Sequence, residues 1–257
     1  MSGEAARAPS RDWDAATYDR VSDVQFAWAL EQLGRLPLRG DEVVLDAGCG
    51  SGRVTAELVN RVPHGRVYGV DVAPSMVAHA RERLGDSATV LRQDLLELDL
   101  PEPVDVVFSN ATLHWIEDHD ELFATLGRAL TPQGRLIAQC GGEGNVASFL
   151  RVTDAVANEE PFAAYFEGWQ WPGHFASAPD TSARLRRAGF TDVSCWLEPR
   201  PVTPADLIPF VQAVCLVRHM DRLPEQLKPL FRDRVLERLG SPVTIDYVRL
   251  NMTASKP

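Results

Sequence analysis

Residues 43–53 read VVLDAGCGSGR, an apolar run that passes straight into glycines at Gly48, Gly50 and Gly52. Glycine accepts positive φ and lets a ligand reach the backbone with no Cβ in the way. A helix opening at the same place presents unpaired N–H groups. Strand, glycine turn and helix together make a seat for a nucleoside-type ligand at the carboxyl end of a parallel sheet. The alternative is a turn that only joins a strand to a helix. Spacing separates the possible ligands. The dinucleotide fingerprint G-x-G-x-x-G asks for glycine where this chain has Arg53. The chain reads D-x-G-x-G-x-G instead, with Asp46 at the strand end. A carboxylate there repels a pyrophosphate and suits a ligand carrying an ammonium or sulfonium cation.

Two more carboxylates follow in the same register. Asp71 ends the run RVYGVD over 66–71. It can accept from both hydroxyls of a ribose in a charge-assisted pair, or cap the helix that Pro74 opens. Asp94 follows the run 88–91 and can accept from an adenine amine; by itself it would be a loop aspartate. Beyond the run 104–109 stand His114 and Trp115. Histidine titrates near neutral pH and could deprotonate a hydroxyl, an amine or an acidic carbon, whereas a carboxylate acceptor needs no base. Trp115 reads as a pocket wall. An anionic substrate calls for arginine forks, for which Arg200, Arg218 and Arg249 are candidates. The aromatics of 162–175 (FAAYFEGWQWPGHF), with His174 among them, line a pocket or pack a core.

The elements that must position these residues alternate. Strands are expected at 42–46, 66–71, 88–91, 104–109 and 134–140, and helices at 51–62, 74–84 and 120–130, joined by short Gly, Pro and Asp turns. That alternation implies a parallel sheet covered on both faces. Before it, a helical face over 15–36 carries Tyr18 and could fold over the ligand as a lid. After it, helices are expected at 145–157, 181–188, 206–218 and 224–239, a strand at 192–197, and an edge strand at 244–253.

With 257 residues the chain fits one large domain or one domain with a cap. We expect a disordered tail over 1–14 and a single unit over 15–257: lid helices to 40, a cofactor-binding core over 41–141, and cap helices with late strands over 142–257. The 26 basic and 36 acidic residues give a net charge of −10, which argues against a partner held through nucleic-acid phosphates. The longest apolar stretch, 208–217, is too short to span a bilayer, and the N-terminus has no secretory pattern. Cys49, Cys140, Cys195 and Cys215 form no metal-ligand or disulfide pattern, so no metal is expected and a reducing cytoplasm fits.

Residues 43–52 resemble the first motif of the class I S-adenosylmethionine-dependent methyltransferases, 69–72 their acidic loop, 93–95 their adenine-contacting segment and 105–110 their fourth strand. The resemblance implies an α/β, Rossmann-like seven-stranded mixed sheet with an antiparallel last strand, helices on both faces and a helical cap. It implies S-adenosylmethionine lying across Gly48, Gly50, Gly52, Asp71, Val72, Asp94, Leu95 and Asn110, with Asp46, Tyr18 and Trp115 beside it. Within that class the chain is most similar to the trans-aconitate methyltransferase-like group. Trp13, Asp14, Tyr18, Asn110, Ala111, Leu113, Trp115, Asp118 and His119 carry that similarity, together with 132–134 and 189–191. It departs at His114, where the group leads one to expect glutamine, and over 169–174. The expectation is in-line methyl transfer to a small-molecule acceptor, with a carboxylate as one candidate and His114 as a candidate catalytic base. A catalytically silent nucleoside-binding protein of the same fold stays open. So does a nicotinamide-dependent oxidoreductase, although that one predicts glycine at position 53.

Overall fold

The structure is a computed structural model. It describes residues 15–257, without the side chains of residues 16–18. The expected 1–14 tail, Trp13, Asp14 and the Tyr18 side chain therefore lie outside the described residues.

Strands β1 (Val43–Ala47), β2 (Arg66–Asp71), β3 (Thr89–Arg92), β4 (Val104–Asn110), β5 (Leu130–Gly141), β6 (Thr191–Pro199) and β7 (Val248–Ser255) form one sheet in the order β3-β2-β1-β4-β5-β7-β6. Strands β1 to β5 run parallel, and β7 runs antiparallel to both its neighbours. The helices are α1 (Ala15–Val21), α2 (Asp23–Arg35), α3 (Arg53–Arg61), α4 (Pro74–Leu84), α5 (His119–Ala129), α6 (Ala147–Ala157), α7 (Ala163–Phe166), α8 (Ala178–Arg187), α9 (Leu207–Phe210), α10 (Val217–Met220) and α11 (Lys228–Leu239).

The central strands are apolar on both sides because both sides are covered. Val44, Val106 and Phe108 pack with Ala29 and Leu33 of α2 and Leu58 of α3 on one face. Leu45, Ala47 and Val107 pack with Leu122, Phe123 and Leu126 of α5 on the other. A separate cluster holds the cap, joining Phe149, Phe162, Phe166, Val211, Phe231 and Val235 to Trp28 and Tyr247.

The helical face expected over 15–36 is carried by two helices: Ser22 leaves the helical pattern and its carbonyl starts the second by accepting from Phe26 N–H at 2.9 Å. Two expectations are corrected. The helix expected over 206–218 is broken by a π turn at Val211–Cys215 between α9 and α10. The strand expected at an edge over 244–253 is β7, which lies inside the sheet between β5 and β6. Its alternating polar residues, Arg249 and Asn251, are each 2 % exposed and face the interior of the molecule instead of solvent.

Candidate active site

The site sits where the carboxyl ends of β1, β2, β3 and β4 meet α1, α2 and the cap. A cavity of about 450 Å³ opens there, lined by Asp46, Gly48, Gly50, Asp71, Val72, Asp94, Leu95, Asn110 and Trp115 among others. Nine of the twelve site residues expected from sequence thus share one space. Gly52 is not in that lining; a Cβ on it would lie 3.1 Å from Ala80 of α4, so its role is packing between α3 and α4. The Tyr18 side chain is not described, and His114 lines a second, smaller cavity.

The turn after β1 is held by the backbone. Gly48 and Cys49 donate N–H to the Val70 carbonyl at 2.8 and 3.0 Å, which bends the chain back over the end of β2. Gly48 has φ +83°, and a Cβ there would lie 2.2 Å from the Thr112 side chain, so only glycine fits. Thr112 Oγ1 donates to the Gly48 carbonyl at 3.2 Å and closes the contact. Gly50 is open: a Cβ on it would meet only Met76 Sδ at 3.9 Å.

Asp71 ties this turn to the next. One carboxylate oxygen accepts from Gly50 N–H and the other from Ala73 N–H, each at 2.9 Å. A carboxylate has about four acceptor positions, so acceptor capacity remains for a ligand. Burial raises its pKa above the usual carboxylate value, against the pull of the Ala73, Gly50 and Val72 amides. Asp46 is 2 % exposed and accepts from Thr55 Oγ1 at 2.7 Å. Burial lifts its pKa to about 7, with the Asp71 charge adding to the rise. Asp94 accepts from Leu96 N–H at 2.9 Å, which fixes the turn that brings Leu95 to the wall. Asn110 donates through Nδ2 to the Gln25 carbonyl at 3.1 Å, while its Oδ1 is buried with no hydrogen-bond partner.

Spacing along the chain gave no sign of the groups that α1 and α2 bring in. Arg83 donates to the Ser51 carbonyl at 2.8 Å and to Asp19 at 2.5 Å, and Ser51 Oγ also donates to Asp19. Arg53 pairs with Asp23 at 2.7 Å and lies 4.0 Å from the centre of the Phe26 ring. The glycine turn is thereby strapped to the two N-terminal helices. These contacts cross tens of residues of sequence, and no local pattern announces them.

The smaller cavity, about 70 Å³, shares Gln25, Ala111 and Trp115 with the larger one and adds His114, Phe149, Trp171, Phe175, Tyr247 and Arg249. Ala111 holds φ +57°, a strained conformation for a residue with a Cβ, at the point where the chain leaves β4 between the two spaces. His114 is 7 % exposed. Its Nδ1 accepts from Gly141 N–H at 3.3 Å, so the ring proton sits on Nε2. Burial pushes its pKa well below 6.5, and the positive charge of Arg249 pushes further. The ring stacks on Phe175, with centroids 5.8 Å apart. Arg249 is 2 % exposed, donates Nε to Gln139 Oε1 at 3.3 Å, and lies 5.0 Å from the centre of the Trp28 ring. Of the other arginines considered, Arg218 lies over Trp115 at 5.0 Å and lines the larger cavity. Arg200 is in neither lining and is engaged by Glu31 and Glu198.

No helix among the described residues is long and apolar enough to cross a membrane. Residues 44–134 match the family described as a methyltransferase domain. The chain is 36% identical to trans-aconitate 2-methyltransferase of Methylobacterium nodulans over 186 residues, covering 72% of this chain and 67% of that protein. It is 41% identical to trans-aconitate 2-methyltransferase of Escherichia coli over 128 residues, and so spans about half the length of that relative. In fold it is similar to phosphoethanolamine N-methyltransferase 2 of Haemonchus contortus, solved in complex with S-adenosyl-L-methionine. That likeness has a TM-score of 0.62 at 20% identity and covers 95% of this chain and 56% of that one. The seven-stranded sheet, the glycine turn and the 36% relative show that the chain belongs to the S-adenosylmethionine-dependent methyltransferases, and S-adenosylmethionine is its cofactor.

Proposed function

We propose that the protein transfers the methyl group of S-adenosylmethionine to a carboxylate of a small organic acid, giving a methyl ester. The observation that carries the cofactor half of this reading is the single cavity walled by open glycine backbone, two partly committed carboxylates and the orphaned Asn110 Oδ1. The acid acceptor is supported by the relatives named trans-aconitate 2-methyltransferase.

The residues present fit the cofactor. Asp71 keeps acceptor positions for a ribose, Asp94 and Leu95 form the edge where an adenine would lie, and Val72, 40% exposed, offers it an apolar surface. Asp46, near the glycine turn, offers a carboxylate to a cation. Asn110 Oδ1 and Trp115 close the side toward the acceptor. When bound, S-adenosylmethionine supplies a methyl carbon already activated by its sulfonium. The protein's share is alignment, worth up to ~7–11 kcal/mol in well-oriented systems. Trp115, Ile116 and Pro172 on the lining exclude water from that line of approach. His114 is held as an Nε2–H donor, suited to hydrogen-bonding a carboxylate oxygen and not to taking a proton. We place this chemistry in the cytoplasm on a small-molecule partner, with residues 15–257 acting as one unit and Cys49, Cys140, Cys195 and Cys215 as free thiols.

The experiment is a turnover assay with S-adenosylmethionine and panels of carboxylic acids, phenols and amines, read by mass spectrometry of both products. Methyl esters from acids alone support the proposal. Methylated phenols or amines with no ester overturn it.

A further inference from the structure

The smaller cavity has a composition unlike anything the cofactor requires. Its wall is aromatic and aliphatic, from Phe149, Trp171, Phe175, Val214 and Tyr247, and one guanidinium, that of Arg249, is set into it. Arg249 is the one charged side chain in that lining among the described residues. A cation at 2 % exposure is costly unless its position is fixed and its charge met. Here a chain of side chains fixes it. Arg249 Nε donates to Gln139 Oε1, Gln139 Nε2 donates to Asn251 Oδ1 at 2.7 Å, and Asn251 Nδ2 donates to the Glu198 carboxylate at 3.3 Å. All four residues lie on adjacent strands β5, β7 and β6, so the guanidinium is mounted on the sheet and not on the cap. Across the cavity the Trp171 Nε1–H and Gln25 Oε1 are buried with no hydrogen-bond partner.

We propose that this cavity is the acceptor subsite and that Arg249 anchors a carboxylate of an acid carrying a single such group and an apolar body. The inference rests on the carboxylate reading above and deepens it. A buried fork donor matches a carboxylate in shape and charge. The aromatic wall takes the apolar body, and Trp115, shared by the two cavities, is the sill across which the acid reaches the methyl group. Arg249 grips one oxygen, which leaves the other to attack. The oxygen forms a bond to the methyl carbon as the sulfur–carbon bond breaks. That bond's electron pair stays on sulfur, the sulfonium becomes a neutral thioether, and no proton moves. A tricarboxylate fits poorly, since two further carboxylates would be stripped of water against aromatic faces with no cation to meet them. Arg218, the cation on the far side of Trp115, faces the larger cavity, where the cofactor brings a carboxylate of its own.

The test is calorimetric binding of phenylacetate, phenylacetamide and trans-aconitate to the protein saturated with S-adenosylhomocysteine, using wild type, Arg249→Gln and Arg249→Lys. Affinity for S-adenosylhomocysteine serves as the check that each variant is folded. The expected result is phenylacetate binding at least tenfold tighter than trans-aconitate, no detectable phenylacetamide binding, a tenfold or greater loss in R249Q and partial recovery in R249K. Phenylacetate binding within twofold of wild type in a folded R249Q overturns the anchor. Tighter binding of trans-aconitate than of phenylacetate overturns the single-carboxylate class. Arg249-dependent binding with no ester from any acid supports the anchor and sinks the reaction proposed above instead, so the two failures are told apart.

Discussion

The two cavities meet at Trp115 and are built in opposite ways. Much of the cofactor wall comes from short segments at the carboxyl ends of parallel strands or in the turns after them, 48–51, 71–72, 93–95 and 110–112, joined by residues of α1, α2 and the cap such as Asp19, Phe26 and Arg218. Its working groups are backbone N–H groups, glycine surfaces and carboxylates. The acceptor wall gathers Gln25, His114, Phe149, Trp171, Tyr247 and Arg249 from regions spread over most of the chain. Its working groups are aromatic faces and one guanidinium. A ligand met by backbone is met by geometry that a turn can encode locally. A ligand met by side chains needs the whole fold to converge. Perturbations should therefore act differently on the two sides.

The largest effect is expected on the backbone side, at Gly48→Ala. Its Cβ would stand 2.2 Å from Thr112 at φ +83°, so left-handed strain and overpacking add to about 2–5 kcal/mol. Gly50→Ala has φ +54° and open space, so it should cost only about 1–2 kcal/mol. Thermal melts of the two variants without ligand make the check. Equal melting temperatures would mean that the turn is not the tight element described. Next is Asp71→Ala. Losing a charged acceptor of ribose hydroxyls should weaken S-adenosylmethionine by about 1.5–3 kcal/mol, or roughly 10- to 150-fold. Binding calorimetry reads it, and unchanged affinity would remove Asp71 from the cofactor wall.

The same contrast explains what was legible in the sequence. The spacing D-x-G-x-G-x-G, with carboxylates after the next two strands, predicts the cofactor wall because each group is fixed by its neighbours in sequence. Strand Arg66–Asp71 and helix Pro74–Leu84 have the boundaries that the sequence leads one to expect. On the acceptor side the same reasoning fails at β7. Arg249 and Asn251 alternate with Leu250 and Met252, a pattern that reads as one face in solvent. Both faces are buried, one against the core and one against the site and the Gln139–Glu198 relay. Binary patterning equates polar with exposed, and a functional cavity breaks that rule. The split of the expected 206–218 helix has a related cause. A run apolar at nearly every position carries no period to show where a π turn will interrupt it.

Asp46 tests whether the cofactor wall is tuned for a cation. Its pKa near 7 lies above the 3.8 of an unperturbed aspartate, so between those values the folded protein binds more protons than the unfolded chain. The stability contributed by this group is full at low pH and is lost as pH rises through about 7. Asp46→Asn, which keeps an acceptor for Thr55 Oγ1, should therefore melt higher than wild type at pH 8 without ligand and alike at pH 4. Cofactor binding should run the other way. Wild-type affinity for S-adenosylmethionine falls by up to about tenfold between pH 8 and pH 6, because a cation needs the ionised carboxylate. The variant should bind weakly with no such slope. Calorimetry at the two pH values, paired with melts, gives both readouts, and a slope retained in D46N would assign the titration to another group.

The smallest effect is expected at His114, the residue a base-catalysed mechanism would make indispensable. Its Nδ1 is occupied by Gly141 N–H, and its pKa is pressed far below neutral by burial and by Arg249. It cannot collect a proton near pH 7 without giving up that bond, and a carboxylate acceptor has no proton to give. His114→Gln can accept from Gly141 through the amide oxygen and donate through the amide nitrogen, so it should keep kcat within about tenfold, in line with the loss of an ordinary hydrogen bond. At saturating S-adenosylmethionine the pH profile of ester formation between pH 6 and 8 should be the same in both proteins. His114→Phe, which leaves the buried Gly141 N–H without an acceptor, should instead lose about 1–3 kcal/mol of stability. Activity that falls a hundredfold in H114Q, together with a pH limb that disappears in the variant, would make His114 a base after all. It would also turn the acceptor from an acid into a group that must first be deprotonated.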